Sequence, residues 1–403
     1  MALMPVADAL AAVLDCAAGL AEEMVALDDA HGRVLARDLA ALRTQPPQPM
    51  SAMDGYAVRA ADVATAPARL TVIGEIAAGR PAEQSVGPGQ ALRIFTGGVI
   101  PDGADTVVIQ EDTVRDGDQV TITEAARHGR HIRPAGIDFT EGEVLLRAGH
   151  RLSDRDLALA AGMNHPALPV HRRPRVAMLA TGDELVMPGA ALGPGQIVYS
   201  NGYALRALAR SEGAEVIDLG IAADTIEATR AAIARARDLC VDVLVTTGGA
   251  SAGDHDLVKS SLEAEGTTIA FWKIAMRPGK PMMHGRLGPM RVIGLPGNPV
   301  SSYVCAVLFM VPLIRALSGR SESMHRRLPA VLGADLAAND QREDYLRAQL
   351  ALRDDGQWLA TPVDRQDSSL LARLSAAQAL IVRPPFAPAA AAGSSCLILK
   401  LPE

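Results

Sequence analysis

The segment VDVLVTTGGASAGDHD, residues 241–256, combines groups that suit an anion with groups that repel one. Glycines permit close approach of a ligand to the backbone, and hydroxyls donate hydrogen bonds to an oxyanion. The candidates of this kind are Thr246, Thr247, Gly248, Gly249 and Ser251. Asp254 and Asp256 follow at once, and no Gly-Lys-Ser or Gly-Lys-Thr completes a nucleotide-binding loop. A tight strand-to-helix turn explains the glycines equally well.

Four loops with such residues follow predicted strands, at 181–185, 220–225, 246–256 and 294–302. The carboxyl ends of parallel strands share one edge of a sheet, so the acids of these loops are expected on one rim. The acids are Asp183, Glu184, Asp224, Asp254 and Asp256. Mg²⁺ uses one or two carboxylates plus phosphate oxygens, which would reconcile acids with an anion. Each acid could instead be a helix N-cap, and Asp224 and Asp254 suit that role.

Two further segments carry groups of the same kind. GLPGNPVSS places two prolines around a Gly-Asn turn, which stiffens the backbone at the start of a helix. FWKIAMRPGKP places Lys273, Arg277 and Lys280 around a Pro-Gly turn, where they could bind an oxyanion. The alternatives are a structural helix start and a solvated basic turn.

The amino-terminal half contains SAMDGYAV, whose Asp54-Gly55 pair is a hairpin signal. It also contains RIFTGG, in which Thr96 begins a turn after a predicted strand. The pattern alone does not bring either segment to the rim.

Length and patterning predict several domains. A chain of 403 residues divides into roughly two to four. The pattern predicts helix and turn for residues 1 to about 44. It also predicts a later helix that Ser153 caps. Short strands fill 69–125, and strands alternate with amphipathic helices over 173–320, which predicts a parallel sheet covered on both faces. Small strands return from 328 onward.

Composition excludes several classes of function. A net charge of -7 argues against binding nucleic acid. The four cysteines are far apart and form no metal-binding spacing, which favours a reduced, cytosolic chain with buried thiols. The apolar run VSSYVCAVLFMVPLI is shorter than a membrane span and is interrupted by Pro312, so we predict a soluble protein.

Together these motifs, in this order, resemble the molybdopterin molybdenumtransferase family, the MoeA and gephyrin E-domain group. The resemblance implies an α/β multidomain fold with a central molybdopterin-binding, MogA-like domain. It also implies an inserted β domain, an N-terminal linker-like domain and a small C-terminal β-barrel. The implied divisions are 1–44 with 138–172 for the linker-like domain, 45–137, 173–327 and 328–403. Members form homodimers, with the site between the α/β domain of one subunit and the inserted domain of the other.

The implied reaction inserts molybdate into adenylylated molybdopterin and releases AMP, with Mg²⁺ present and molybdopterin adenylyltransferase as the upstream partner. By motif position, the catalytic contacts are Asp54, Thr96, Glu184, Asp224 and Asp256, and all of these except Thr96 are the predicted metal ligands. The predicted pterin, phosphate and molybdate contacts are Gly248, Gly249, Ser251, Arg277, Lys280, Pro296, Gly297, Asn298, Pro299 and Ser301. Arg347 and Ser368 are further candidates for contacts to an oxyanion.

Some positions depart from the family pattern. Arg277 stands where many relatives have Lys, Ile137 where the position is often acidic, and Ala372 where some have Ser; Ala250 and Ala252 replace larger apolar residues. Three alternatives stay open: molybdopterin adenylyltransferase, a non-enzymatic scaffold, and tungstate in place of molybdate.

Overall fold

The structure is a computed structural model that describes residues 3–77, 79, 83–248 and 257–402. Three six-stranded sheets dominate it and follow one another along the chain. A β-rich region comes first, an α/β sheet covered by helices lies in the middle, and a closed barrel ends the chain. The predicted fold class is therefore confirmed.

The chain begins with elements that pair only with distant residues. They are α1 (Val6–Leu14), β1 (Glu22–Ala26), a 3₁₀ turn (Leu27–Asp29) and β2 (Leu39–Ala40). The prediction of helix and turn alone for this stretch was wrong, since both strands form their ladders with residues beyond 140. Local pattern carries little signal for such pairing.

The next region forms the first six-stranded sheet, in the order β7-β4-β6-β5-β9-β8. Its elements, with two flanking short strands, are β3 (Met50–Ser51), β4 (Gly55–Val58), a 3₁₀ turn (Ala60–Asp62), β5 (Ala68–Ile76), β6 (Gln90–Ile94), β7 (Thr106–Ile109), a 3₁₀ turn (Gln110–Asp112), β8 (Thr113–Asp116), β9 (Gln119–Ile122) and β10 (Ile132–Arg133). The hairpin predicted at Asp54-Gly55 is absent from this described segment, because β3 pairs with β10 while β4 pairs with β6 and β7.

The chain then returns to its beginning through β11 (Val144–Leu146), α2 (Asp154–Gly162) and β12 (Ala167–His171). Strand β12 pairs with β1, and β11 pairs with β2. Ser153 caps α2 as predicted, in a capping box with Asp156.

The α/β region has the order β16-β13-β17-β21-β20-β18. Its elements are β13 (Arg175–Thr181), β14 (Leu185–Val186), β15 (Ile197–Val198), α3 (Asn201–Ser211), β16 (Glu215–Ala222), α4 (Ile226–Asp238), β17 (Val243–Thr247), α5 (Leu257–Ala264), β18 (Thr268–Phe271), β19 (Met276–Arg277), β20 (Met283–Leu287), β21 (Met290–Leu295), α6 (Pro299–Cys305), a π-helical turn (Ala306–Met310) and α7 (Val311–Leu317). Four strands are parallel, but β20 and β18 add an antiparallel edge. The four predicted strands are parallel as expected, but the two edge strands were not predicted; they form because Gly288 and Pro289 turn the chain back between β20 and β21.

The segment from Pro299 to Leu317 forms one helix of 19 residues, so Pro312 does not interrupt it. The π-helical turn just before Pro312 makes room for a ring that would otherwise clash with the carbonyl four residues earlier. The helix is long and apolar enough to cross a membrane, but 83% of its most apolar window is buried inside the protein. It packs as the central helix of the largest hydrophobic core.

The last region is a barrel closed by pairing of its second and fourth strands in chain order. Its elements are β22 (Leu328–Leu332), β23 (Glu343–Leu352), β24 (Trp358–Pro362), α8 (Leu371–Ser375), β25 (Ala379–Arg383) and β26 (Ser395–Lys400). Strand β23 pairs with both β24 and β25, and it also pairs with β19 of the preceding region. That last pairing ties the barrel to the α/β region.

All four cysteines are free thiols, as the sequence predicted, but the prediction that the thiols are buried was wrong for two of them. Cys16 and Cys240 are exposed, whereas Cys305 is fully buried and its pKa is raised strongly by burial. The buried thiol therefore stays protonated at neutral pH.

His284 on β20 is a buried titratable group in the α/β region, with 1% of its surface exposed. Its Nδ1 lies 3.0 Å from the carbonyl oxygen of Val292. Burial, which disfavours the charged imidazolium, lowers the pKa of His284 from 6.5 to about 4, and the nearby Arg291 and Arg286 act in the same direction.

Acidification should therefore destabilise the fold through His284. As pH falls, the unfolded chain takes up this proton near pH 6.5 and the folded chain only near pH 4, so stability is lost between these values. At about 1.4 kcal/mol per pH unit, the loss reaches about 3 kcal/mol. The free energy of unfolding can be measured with urea at several pH values, by Trp272 fluorescence in a Trp358→Phe background. The His284→Gln variant should lose about 3 kcal/mol less than its parent between pH 6.5 and pH 4. His128→Gln, an exposed control, should keep the full loss; identical profiles for His284→Gln and its parent would contradict the account.

Candidate active site at the carboxyl edge of the α/β sheet

Three neighbouring parallel strands end side by side. Ala180 of β13 is in register with Thr247 of β17, and Thr247 is in register with Leu295 of β21. The loops that leave these strands must therefore share one edge of the sheet. Those loops are three of the four that the sequence singled out.

A pocket of about 640 Å³ opens at this edge. Its walls come from the three strand-end loops, the β14–β15 segment, the start of α3 and the barrel. The lining residues are Thr181, Glu184, Leu185, Ile197, Val198, Tyr199, Ser200, Asn201, Thr247, Gly248, Pro281, Pro296, Gly297, Asn298, Pro299, Ser369 and Leu371. Six of the predicted site residues are among them: Glu184, Gly248, Pro296, Gly297, Asn298 and Pro299. The predicted proline turn is thus a wall of the pocket, as well as the start of α6.

Gly248 allows the loops after β13 and β17 to approach each other closely. Its φ is +89°, and an added Cβ would lie 2.2 Å from the carbonyl oxygen of Thr181. No side chain fits there without moving the end of a strand. Glycine at this position is therefore required by the close approach of the two backbones.

Three buried hydroxyls at or behind this edge have no hydrogen-bond partner within the part of the chain that the structure describes: Thr181 Oγ1, Thr246 Oγ1 and Ser302 Oγ. Thr181 lines the pocket and is 3% exposed. An unpaired buried hydroxyl is costly unless a ligand completes it. The pocket wall therefore offers a hydrogen-bonding group to an oxyanion or a polar ring.

The acids of the rim are arranged in two ways. Asp183 and Asp224 face each other: the amide N–H of Asp224 donates to Asp183 Oδ1 at 3.0 Å, and that of Asp183 donates to Asp224 Oδ2 at 3.3 Å. Glu184 instead lines the pocket. Asp224 is not the N-cap of α4, since the hydroxyl of Thr225 accepts from Ala228 there. Asp224 therefore joins two rim loops.

Asp54 and Thr96 lie together in the first six-stranded region. Both the amide N–H and the hydroxyl of Thr96 donate to Asp54 Oδ1, at 2.7 and 2.8 Å. The Thr96 amide, followed by its hydroxyl, holds the pKa of Asp54 below its ordinary value, so this exposed carboxylate stays charged. Neither residue lines the 640 Å³ pocket of its own chain.

Arg277 ends β19, and Lys280 lies in the loop that follows it and contributes Pro281 to the pocket. The guanidinium of Arg277 forms a bidentate ion pair with Asp344 of β23, with Nε 2.9 Å from Oδ1. Its side chain remains 47% exposed. Lys280 is also exposed. Both are accessible at the edge of the site, but Arg277 is already oriented by the barrel.

The barrel also supplies part of the pocket wall through Ser369 and Leu371. Asn298 Nδ2 donates to Ser368 Oγ at 3.0 Å, so Ser368 supports the proline turn. Arg347 is 1% exposed and its donors bond acceptors within its own barrel, which does not agree with the expected contact to an oxyanion.

Some predicted residues cannot be compared, and some pocket residues were missed. Gly249, Ser251 and Asp256 lie outside the described residues, and Ser301 is buried in α6 without lining the pocket.

Asn201, which sequence reasoning treated only as part of a helix, lines the pocket and donates to the carbonyl of Gly297 at 2.7 Å. Its place at a helix start on the carboxyl edge was the signal that could have identified it.

No cluster of three or more potential metal ligands occurs within residues 3–77, 79, 83–248 and 257–402. The predicted set of four acids is divided between two regions, and one member, Asp256, is not described. The metal assignment therefore stays a prediction.

A larger depression, of about 950 Å³, lies in the first six-stranded region between Gln48 and Pro134. It contains none of the predicted site residues. The smaller pocket is the better candidate, because it gathers the glycine turn, the proline turn, an unpaired hydroxyl and a carboxylate at the sheet edge where α/β proteins bind ligands.

Gly248→Ala tests the geometry of the strand ends. The variant should lose about 1 to 3 kcal/mol of stability from backbone strain and should lose more than Gly266→Ala. Gly266 is a matched control, since its φ is also +89° but an added Cβ would meet nothing within 4 Å. Urea unfolding of the two variants measures the difference; equal losses would show that the contact with Thr181 does not constrain the site.

Comparison with known proteins agrees with this architecture. Residues 4–163 match the MoeA N-terminal region (domain I and II), residues 177–316 match a probable molybdopterin binding domain, and residues 329–401 match the MoeA C-terminal region (domain IV).

Relatives and solved structures cover nearly the whole chain. It is 38% identical to the molybdopterin molybdenumtransferase of Nostoc sp., over 94% of this chain and 89% of that protein. It is 37% identical to the enzyme of the same name from Bacillus subtilis, over 90% and 86%. The crystal structure of a molybdopterin biosynthesis MoeA protein from Pyrococcus horikoshii covers all of both chains, with a TM-score of 0.85 and 31% identity.

The match therefore extends over the β-rich region, the α/β sheet with its pocket, and the barrel. Fold, pocket and relatives agree that this chain is a transferase with a role in inserting molybdenum during molybdenum cofactor biosynthesis, and that it belongs to the MoeA family of molybdopterin molybdenumtransferases.

Proposed function

We propose that the protein transfers molybdate to adenylylated molybdopterin and releases AMP, in a Mg²⁺-dependent reaction. The observation that carries this proposal is the pocket over the ends of β13, β17 and β21. It combines the Gly248 turn, the 296–299 proline turn, the unpaired hydroxyl of Thr181 and the carboxylate of Glu184. Such a set suits a polar ring joined to a diphosphate.

The residues of the chain would act by binding and orienting. Backbone groups at Gly248 and in the proline turn hold the substrate, and Thr181 completes a hydrogen bond with it. Prolines fix the backbone before the ligand arrives, which lowers the entropy lost on binding. Arg277 and Lys280 attract an oxyanion to the edge of the pocket. Positioning two anionic reactants together lowers the entropic part of the reaction barrier.

Magnesium fits the acids of the rim, since it needs only one or two carboxylates alongside phosphate oxygens. Glu184 in the pocket and Asp224 beside it would hold the ion, with Asp54 and Asp256 as the further predicted ligands. A bound Mg²⁺ would supply neutralisation of the diphosphate charge.

We also propose a homodimer in which Asp54 and Thr96 of one subunit complete the pocket of the other. The pocket wall includes the exposed apolar residues Ile197 and Val198, and further exposed apolar residues occur close to them in sequence. Exposed apolar surface of this kind suits a protein interface if it is contiguous. The exposed apolar residues are Met187, Leu192, Ile197, Val198 and Tyr203. A shared site would also explain why Asp54 carries a charge held in place by Thr96 without lining the pocket of its own chain.

The remaining parts of the proposal follow from this activity. Molybdopterin adenylyltransferase would be the upstream partner that supplies the adenylylated substrate, and the reduced thiols suit a cytoplasmic enzyme. The domain division at 1–44 with 138–172, 45–137, 173–327 and 328–403 is supported by the three main sheets, each of which falls within one of these ranges apart from β19.

A heterodimer of Asp54→Asn and Glu184→Gln chains tests the shared site. Each homodimeric variant should lose at least tenfold in molybdenum insertion, because each removes one carboxylate charge from every site. The heterodimer, purified through two different affinity tags, should regain up to half of wild-type activity, since one of its two sites carries neither change. Asp116→Asn, an exposed acid of the same region, is the control and should be fully active.

Absence of recovered activity in a stable heterodimer would rule out the shared site. The same preparations, given molybdopterin and ATP without molybdate, should consume no ATP. ATP consumption there would favour the adenylyltransferase reaction instead.

A further inference from the structure

Residues 183–198 form a strap that follows β13, contains β14 and β15, and leads to α3. Four of its residues line the pocket: Glu184, Leu185, Ile197 and Val198. No residue of this segment, all of which the structure describes, is buried. Its two strands pair over only two residues each, and so short a two-stranded ladder is not stable on its own. The strap must therefore be held at its ends.

Tyr199 directly follows the strap and is 3% exposed. Its amide donates to the carbonyl of Val186 at 2.8 Å, so it belongs to the same ladder. The amide of Ile197 donates to the carbonyl of Glu184, also at 2.8 Å. The ladder thus connects the pocket carboxylate of Glu184 to a segment that ends in a buried ring.

The ring of Tyr199 occupies space that a side chain on α3 would need. A Cβ added to Gly202 would lie 1.7 Å from the Tyr199 hydroxyl oxygen and 2.4 Å from its Cζ. Glycine is normally less favourable than alanine inside a helix, because it loses more backbone freedom on folding. Close packing of the tyrosine against the helix backbone explains why glycine is present here.

Arg206, one turn further along α3, closes the space around the ring. Its Nη1 would lie 3.1 Å from the same Cβ on Gly202, and it lies 2.7 Å from Asp218 Oδ2 of β16. Its guanidinium also lies 4.7 Å from the ring centroid of Tyr203, which is 6.1 Å from that of Tyr199. Burial raises the pKa of Tyr199, so its hydroxyl stays protonated. Helix and sheet together hold the tyrosine in place.

We propose that Tyr199 is a positioning residue that anchors the strap against α3 and so holds Glu184 at the pocket. The anchor needs the bare backbone of Gly202 and the neighbouring Arg206. Its effect on catalysis rests on the proposed function, whereas the anchoring itself can be measured without a substrate.

Gly202→Ala tests the anchor without removing any group that lines the pocket. The new methyl group should displace the ring, so amide hydrogen exchange at Ile197 and Tyr199 should accelerate about tenfold or more. Gly162→Ala is the matched control, since Gly162 also lies in a helix and an added Cβ would approach nothing closer than Phe139, at 3.9 Å. Exchange in the strap of that control should match wild type.

Substitutions of Tyr199 test the same contact from the other side. Tyr199→Ala should accelerate exchange at Ile197 as much as Gly202→Ala does, and combining the two should add less than about twofold, because the ring is already absent. Tyr199→Phe keeps the ring and loses the hydroxyl, so its rate should be intermediate. Trp272 fluorescence in a Trp358→Phe background reports whether the α/β region of each variant is folded.

The kinetic test asks whether the anchor acts through Glu184. In Gly202→Ala, kcat/KM for adenylylated molybdopterin should fall about tenfold or more, because a small displacement of a positioned group is costly. In a Glu184→Gln background the same change should cost less than about threefold, since the group that the strap positions is already altered. A general loss of stability would instead lower activity equally in both backgrounds. Gly162→Ala should be fully active.

Unchanged exchange at Ile197 in folded Gly202→Ala and Tyr199→Ala would overturn the proposal. Equal kinetic losses in the two backgrounds would also overturn it, since the anchor would then not act through Glu184. If wild type inserts no molybdenum while the amides of the ladder respond as expected, the proposed function fails and the anchoring of the strap stands.

Discussion

The parallel register of β13, β17 and β21 is the constraint on which the site depends. The strands are buried and in register, so the carboxyl ends of β13 and β21 each lie one strand spacing from that of β17. Nothing larger than glycine fits at Gly248 because the loop after β17 passes directly over the end of β13. Because the strand ends lie so close together, only backbone groups, small hydroxyl side chains and a rigid proline turn fit at this edge. These groups form the pocket.

The barrel depends on the same edge and also completes it. Strand β23 pairs with β19, which brings Asp344 to Arg277, and three residues further along Arg347 holds the loop that reaches the proline turn. The terminal barrel is therefore a part of the pocket, and its removal would affect two walls at once. The first six-stranded region differs, since its hydrogen-bonded residues Asp54 and Thr96 do not line the pocket of their own chain. In the proposed homodimer, that pair would complete the pocket of the second subunit.

Sequence patterns predicted what depends on local physics. The buried strands that end in glycine or threonine, the helix cap at Ser153 and the proline turn at 296–299 could all be predicted, because burial, capping and proline geometry depend on neighbouring residues. Relationships over long distances were not visible. The antiparallel β20 and β18, the pairing of β1 with β12 and the burial of Arg347 each depend on partners far along the chain. Asp224 shows the same limit: an acid before a helix looks like a cap, but its actual partner is Asp183, 41 residues away.

The most direct measurement is a crystal structure of the protein grown with AMP, molybdate and Mg²⁺, with anomalous data collected at the molybdenum absorption edge. The account predicts the AMP phosphate inside the 640 Å³ pocket, close to Gly248 and Glu184, with the molybdenum signal at the edge formed by the proline turn and the Arg277 loop. Nucleotide and molybdenum density in the 950 Å³ depression of the first six-stranded region, with the smaller pocket empty, would contradict it.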